Sequence, residues 1–288
     1  GSGKSVTAYS ILQILTSPGK IVGGSVKVDG VELLAGPVMP CFGRAMTEND
    51  LGAYKKFGSH TQDWLWPSLE PVSVSINPDG CTAEYDVSGQ ARVHVEYTLE
   101  ADGSIGVCAT LSEVKDPKQL ISRFGFEWAM PGSVKEFEFF GYGPYENYPD
   151  RVSCCQKGLF RQKVADQYHW GYVRPQDSGL HTGIQTLRLD DESGAGLMVV
   201  GSGLCASALP MSRRALDLSY TEGVRNAVRP GTQTHSYDIE PDGLTHVNVD
   251  GYHMGLGSIN SWGRLPLEQY LLRPYDGMSI SFRFVPVK

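Results

Sequence analysis

Apolar and polar residues alternate with a period of two along much of this chain. In Ala91–Glu100 (ARVHVEYTLE), Val93, Val95, Tyr97 and Leu99 fall on one face and Arg92, His94, Glu96 and Thr98 on the other. That is the pattern of a half-buried antiparallel strand. Ala101-Asp102-Gly103 supplies a turn, and Ser104–Leu111 returns as the second arm of a hairpin. The same alternation predicts strands at Val72–Ile76, before Pro78-Asp79-Gly80, and at Val134–Phe140, Leu187–Leu189, Leu197–Val200, Thr245–Val249 and Ile280–Val287. The main helical candidate, Ser212–Tyr220, is short. Many short strands with regular turns predict an all-β chain. With no 20–50-residue repeat and no Ser/Gly linker, one large antiparallel two-sheet sandwich is expected rather than two domains.

Composition narrows the class. Hydrophobic residues make up 41% and charged residues 20% of the 288, which is ordinary for a folded chain. The net charge of −7 and the pI near 5.5 argue against a nucleic acid as main partner, and no Lys/Arg stripe stands in the sequence to release its counterions, so no nucleic-acid partner is expected. The apolar run Ile11–Leu15 is too short to span a bilayer, and no membrane partner is expected. No export signal is legible. The compartment stays open, with bacterial cytoplasm or periplasm expected. The opening GSGKSV completes only the second half of a phosphate-binding loop and is not expected to bind nucleotide. The six cysteines, Cys41, Cys81, Cys108, Cys154, Cys155 and Cys205, are expected as free thiols, because a chain this long needs no disulfide to supply core. Adjacent Cys154 and Cys155 are read as neighbouring strand positions. No CxxC pair exists, so no metal site is expected.

Four stretches carry more specific information. They are FGRAMTENDLG (Phe42–Gly52), GYGPYENYPDR (Gly141–Arg151), ASALPMSRRALDL (Ala206–Leu218) and NVDGYHMGLGSINSWG (Asn248–Gly263). In order and spacing they resemble the signatures FWRAPTDNDxG, GxGPxENYxDR, SAxPYSxxDL and NxDxxQMGVGGDDSWG of the C-terminal small-chain domain of β-galactosidases in glycoside hydrolase family 2. The resemblance covers about residues 18–288, with 1–17 as a leader into the first strands. It implies the galactose mutarotase-like supersandwich fold.

It also implies a division of labour. The catalytic glutamates of that family lie on a separate barrel, so the rest of the β-galactosidase is the implied partner, a galactoside the substrate, and the full enzyme a homo-oligomer. No catalytic residue is expected in this chain, and the chain alone is expected to be inactive. Any magnesium or sodium used by the whole enzyme would be held mostly by other domains, leaving no cofactor here. Trp262 matches a tryptophan that reaches across to stack on sugar, with Asn260 and His253 as further carbohydrate-binding candidates. A mobile loop beside the active site is implied to start after Asp50, with Gly52 as its hinge. Glu146, Asp150 and Arg151 are implied in a rigid corner, where Asp150 and Arg151 are the right types to pair with each other or with backbone. Trp64, Trp66, Trp128 and Trp170 are expected in the core.

The sequence departs from the family pattern at Gly43 (tryptophan), Met46 (proline), Glu48 (aspartate) and Ser258-Ile259-Asn260 (GDD), which leaves the glycoside preference open. Two other classes remain. One is a stand-alone carbohydrate-binding or structural domain. The other is an aldose 1-epimerase-like enzyme with a His acid and a Glu base, for which His235-Ser236-Tyr237 is the nearest sequence match. The remaining histidines are expected to be structural.

Overall fold

The computed structural model describes residues 26–28, 31–217, 235–257, 259–260 and 262–287. The opening GSGKSV, Ser258, Ser261 and the end of the Ser212–Tyr220 candidate lie outside the described residues. In chain order the strands are β1 (Val26–Val28), β2 (Val31–Leu34), β3 (Met39–Cys41), β4 (Leu69–Asn77), β5 (Gly80–Val87), β6 (Ala91–Leu99), β7 (Ile105–Ser112), β8 (Arg123–Pro131), β9 (Glu136–Gly143), β10 (Gln156–Lys163), β11 (His181–Asp190), β12 (Gly196–Leu209), β13 (Leu244–His253) and β14 (Ser279–Val287). Among the described residues three short α-helices accompany them: α1 (Glu48–Ala53), α2 (Thr61–Leu65) and α3 (Arg213–Leu216).

Alternation explains the strands that line the core, though not β4, whose Val72 and Ile76 are exposed. β6 buries Val93, Val95 and Tyr97 as its pattern predicts. β5 and β8 carry the same period, with Cys81, Ala83, Tyr85 and Val87 inward on one and Phe124, Phe126, Trp128 and Met130 inward on the other. Strands β4 to β7 form an antiparallel meander. The two-sheet expectation takes the form of one hydrogen-bonded sheet that forks. Its main path runs β10-β9-β11-β12-β14-β7-β6-β5-β4. The 14-residue β12 pairs with β14 through Gly196–Gly201 and with β13 through Cys205–Leu209, and β13 continues to β8 and β3. The two arms face each other across the core: Phe126 meets Phe282 at 5.5 Å and Trp128 meets Phe284 at 5.3 Å between ring centroids, both edge to face, a favoured aromatic geometry.

Several expectations change. The helix expected at Ser212–Tyr220 is a single turn, Arg213–Leu216, capped by the Ser212 hydroxyl accepting from the Ala215 N–H. Cys154 and Cys155 sit in a turn, not on neighbouring strand positions. Trp64 and Trp128 are in the core, but Trp66 is half-buried under the Arg213 guanidinium at 3.8 Å, a cation–π contact. Trp170 is 45% exposed, because it lies in a loop outside both layers. Gly43 replaces the family tryptophan for a visible reason. A Cβ there would come within 2.5 Å of the Leu65 backbone, so α2 occupies the space, and Trp64 packs edge-on against Phe42 at 5.5 Å.

Candidate functional site

Three of the four sequence motifs converge at one end of the sandwich. α1 begins at Thr47, whose hydroxyl accepts from the Asp50 N–H while the Asp50 carboxylate accepts from the Thr47 N–H, a reciprocal cap that fixes the helix start. Asp50 and Gly52 therefore lie inside a helix. The far side of Asp50 faces Arg44. Its two oxygens accept from Arg44 Nε at 2.9 Å and Nη2 at 2.8 Å, and both side chains are buried.

Arg44 also grips the segment that carries Trp262. Its Nη1 donates to the Met254 carbonyl and its Nη2 to the Gly255 carbonyl, both at 2.9 Å. From the opposite side, Asp150 accepts the Leu256 N–H at 2.9 Å and the Gly257 N–H at 2.8 Å. Asn49 Nδ2 donates to the Leu256 carbonyl and Lys56 Nζ to the Gly263 carbonyl. Residues 254–256 and Gly263 are thus held by Arg44, Asn49 and Lys56 on one flank, and residues 256–257 by Asp150 on the other.

Gly52 and Gly263 mark where the flanks meet. Gly263 has φ +70°, and a Cβ on it would come within 2.1 Å of the Gly52 carbonyl, while a Cβ on Gly52 would lie 3.3 Å from Gly263 Cα. Only glycine meets both demands at Gly263. Beside this crossing the Trp262 side chain is 89% exposed. Asn260 Oδ1 accepts from the Trp262 N–H at 2.9 Å, a local turn that sets the approach of the indole.

The corner is similarly tied. Asn147 is fully buried; its amide donates to the Tyr142 and Tyr145 carbonyls and its oxygen accepts from the Thr182 N–H and hydroxyl. Glu146 accepts from Tyr172 Oη, Ser178 Oγ, the Gly179 N–H and Arg151. Burial raises its carboxyl, but these donors and the Arg151 charge outweigh that and hold it below the usual carboxylate range. Arg151 pairs with Glu146, and Asp150 with backbone, not with each other.

Under the loop lies a buried charged cluster that the sequence did not announce. Arg123 Nη2 is 3.3 Å from Asp177 Oδ1, and Arg123 Nε is 3.5 Å from Asp250 Oδ2. Tyr148 Oη donates to Asp177. His253 is buried here, away from the surface that Trp262 occupies. Its Nδ1–H donates to the Met254 carbonyl, leaving Nε2 to accept from Arg123 Nη2 at 3.2 Å. Burial and the two nearby guanidiniums hold its pKa well below the usual histidine value. Burial pushes the Asp250 carboxyl up to about 7. Neither Asp250 oxygen has a hydrogen-bond partner.

Sequence reading named Asp50, Gly52, Glu146, Asp150, Arg151, His253, Asn260 and Trp262, and the structure brings them to one end. It missed Arg44, Arg123 and Asp177. Arg44 was legible only as one charge within the first motif. The remaining motif, Ala206–Leu218, packs nearby, with Leu209, Met211 and Leu216 against Ala45. His235 and Tyr237 stack on an exposed 3₁₀ turn. Among the described residues, no group of three or more His, Cys, Asp or Glu could hold a metal ion.

Asp150 gives a direct test of the latch. Asp150→Ala removes the acceptor for two amides, and one charge-assisted hydrogen bond is worth about 1.5–3 kcal/mol. Hydrogen exchange at Leu256 and Gly257 is expected to accelerate while exchange in β6 stays unchanged. Unaltered exchange at both amides would refute the latch.

Comparison with known proteins gives a consistent result. The family model described as beta galactosidase small chain matches residues 16–285. A β-galactosidase of Halalkalibacterium halodurans is 30% identical over 275 residues, covering 91% of this chain and 26% of that protein. One of Streptococcus thermophilus is 27% identical over 273 residues, covering 91% and 25%. The chain spans about a quarter of the length of the curated relatives it matches. Among solved structures, an amine oxidase of Aspergillus nidulans covers 91% of this chain and 48% of its own at 9% identity, with a TM-score of 0.37, too distant to bear on fold or function.

Proposed function

Because the chain belongs to the β-galactosidase small-chain family, we propose that it completes and gates a sugar site formed mainly by a catalytic barrel elsewhere in a longer enzyme or in a partner subunit. The whole enzyme then hydrolyses terminal β-galactosides with retention, using two barrel carboxylates about 5–5.5 Å apart. On this reading that pair lies on the barrel, and this chain is inactive alone. The full enzyme is a homo-oligomer.

The observation that carries this reading is Trp262. An indole 89% exposed, beside a segment latched from both sides, has apolar surface left to bury against a partner. It is suited to cover the apolar face of a sugar ring without satisfying any hydroxyl. Asn260 sets its approach, and His253 supports the loop from beneath. Gating comes from the segment after Asp50, which moves about Gly52 where it crosses Gly263, with Asp50 on the fixed side.

The test is activity on a chromogenic β-galactoside, comparing this chain, the barrel-containing remainder, and the two mixed. Activity is expected only on mixing. Trp262→Ala in the mixture is expected to weaken substrate affinity about tenfold, since the lost apolar burial is worth about 1–2 kcal/mol. A fully active remainder without this chain, or a Trp262→Ala mixture with unchanged KM, would overturn the proposal.

A further inference from the structure

We propose that Cys154 and Cys155 form a modification site, a vicinal dithiol that closes to an internal disulfide by exchange with a low-molecular-weight disulfide. The site is independent of the sugar-binding reading. Its two sulfurs lie 3.8 Å apart, with Cys154 exposed and Cys155 half-buried. Cys41, Cys81 and Cys205 are buried, and burial pushes each of their thiols up to about 12. Reaction with a small disulfide requires access to the sulfur, and exposure sets the adjacent pair apart from these three.

The surrounding geometry assigns the order of events. The pair closes a turn in which the Cys155 N–H donates to the Val152 carbonyl at 2.9 Å. The Cys155 thiol donates to the Tyr145 carbonyl at 3.6 Å, while Cys154 Sγ is open to solvent. Burial, and then the neighbouring Cys154, raise the Cys155 thiol. Cys154 therefore reacts first. Its thiolate attacks one sulfur of the small disulfide, forming a mixed disulfide and expelling one small thiolate. Cys155 then loses its proton and attacks Cys154 Sγ, expelling the second. Two protein thiols are oxidised, one small disulfide is reduced to two thiols, and the two cysteine protons end on the released thiolates.

The product is of the labile kind. Adjacent Cα atoms stand about 3.8 Å apart across a trans peptide, inside the usual spacing of about 4.4–6.8 Å for disulfides, and such strain makes the bond easier to reduce. Closure also removes the hydrogen bond from Cys155 to Tyr145. The corner that holds Glu146 and Asp150 thereby becomes sensitive to the thiol–disulfide balance around it.

The experiment uses the full chain, folded, with oxidised glutathione as the probe. After an acid quench, unfolding, alkylation and trypsin digestion, the peptide Val152–Lys157 contains both cysteines and no other. It is expected to be unalkylated and lighter by two hydrogens, whereas Cys41, Cys81 and Cys205 remain alkylated. Cys155→Ser is expected to stop at a glutathione adduct on Cys154, which separates ring closure from simple thiolation. A wild-type peptide that stays doubly alkylated, or that carries glutathione without ring closure, overturns the proposal.

Discussion

Arg44→Met lowers the unfolding free energy by about 3–5 kcal/mol, the cost of breaking a buried ion pair from one side. The substitution fits the volume but removes both donors to Asp50 and both donors to the Met254 and Gly255 carbonyls. Asp50, 3% exposed, keeps only its helix-cap contacts with Thr47. Urea unfolding should show the midpoint fall with little change in slope. The double variant Arg44→Met/Asp50→Leu should recover part of the loss, because the stranded carboxyl is then gone. A single-variant loss below about 1 kcal/mol would mean that Arg44 is solvated and that the latch is not the buried pair described above.

The second large effect depends on pH. Around Arg44 and Arg123 stand three carboxyls, those of Asp50, Asp177 and Asp250. Asp50 takes Arg44 with both oxygens, so Asp177 and Asp250 share Arg123. Burial raises both of these carboxyls, Asp250 to about 7. A raised carboxyl binds its proton more tightly folded than unfolded. Its stabilising contribution is therefore present below the unfolded value near 3.8 and is lost as pH rises through 7. His253 acts in the opposite sense: its depressed pKa costs stability as pH falls below about 6.5. Comparing Asp250→Asn with the unaltered chain isolates the carboxyl. The difference in unfolding free energy should shift in favour of the variant by at most about 4 kcal/mol between pH 4 and pH 8. A difference that does not vary with pH would show that Asp250 is ionised throughout.

The strands were legible because burial on one face writes itself as alternation, as in β6, and β5 and β8 show the same period on inspection. The fork was not legible. Nothing in Gly196–Leu209 announces that its two halves have different partners, since alternation reports which face is inward but not which strand lies alongside. The site divides in the same way. The family resemblance pointed to residues that the structure gathers at one end of the molecule. The Arg44 latch spans 210 residues of sequence, and a side chain bonded to distant carbonyls has no period to detect. Trp170 was placed in the core because tryptophans usually are, but loop position outweighed composition there.

The fork at β12 bears on the order in which the molecule can be made. β14 is the last of the described strands in the chain, yet it lies between β12 and β7 and joins the early meander to the later strands. As the chain leaves the ribosome, both of those strand edges stand open until β14 arrives. The nascent protein thus passes through a stage with two unpaired templates for foreign strands. Conditions that slow the synthesis of β14 should favour aggregation over folding.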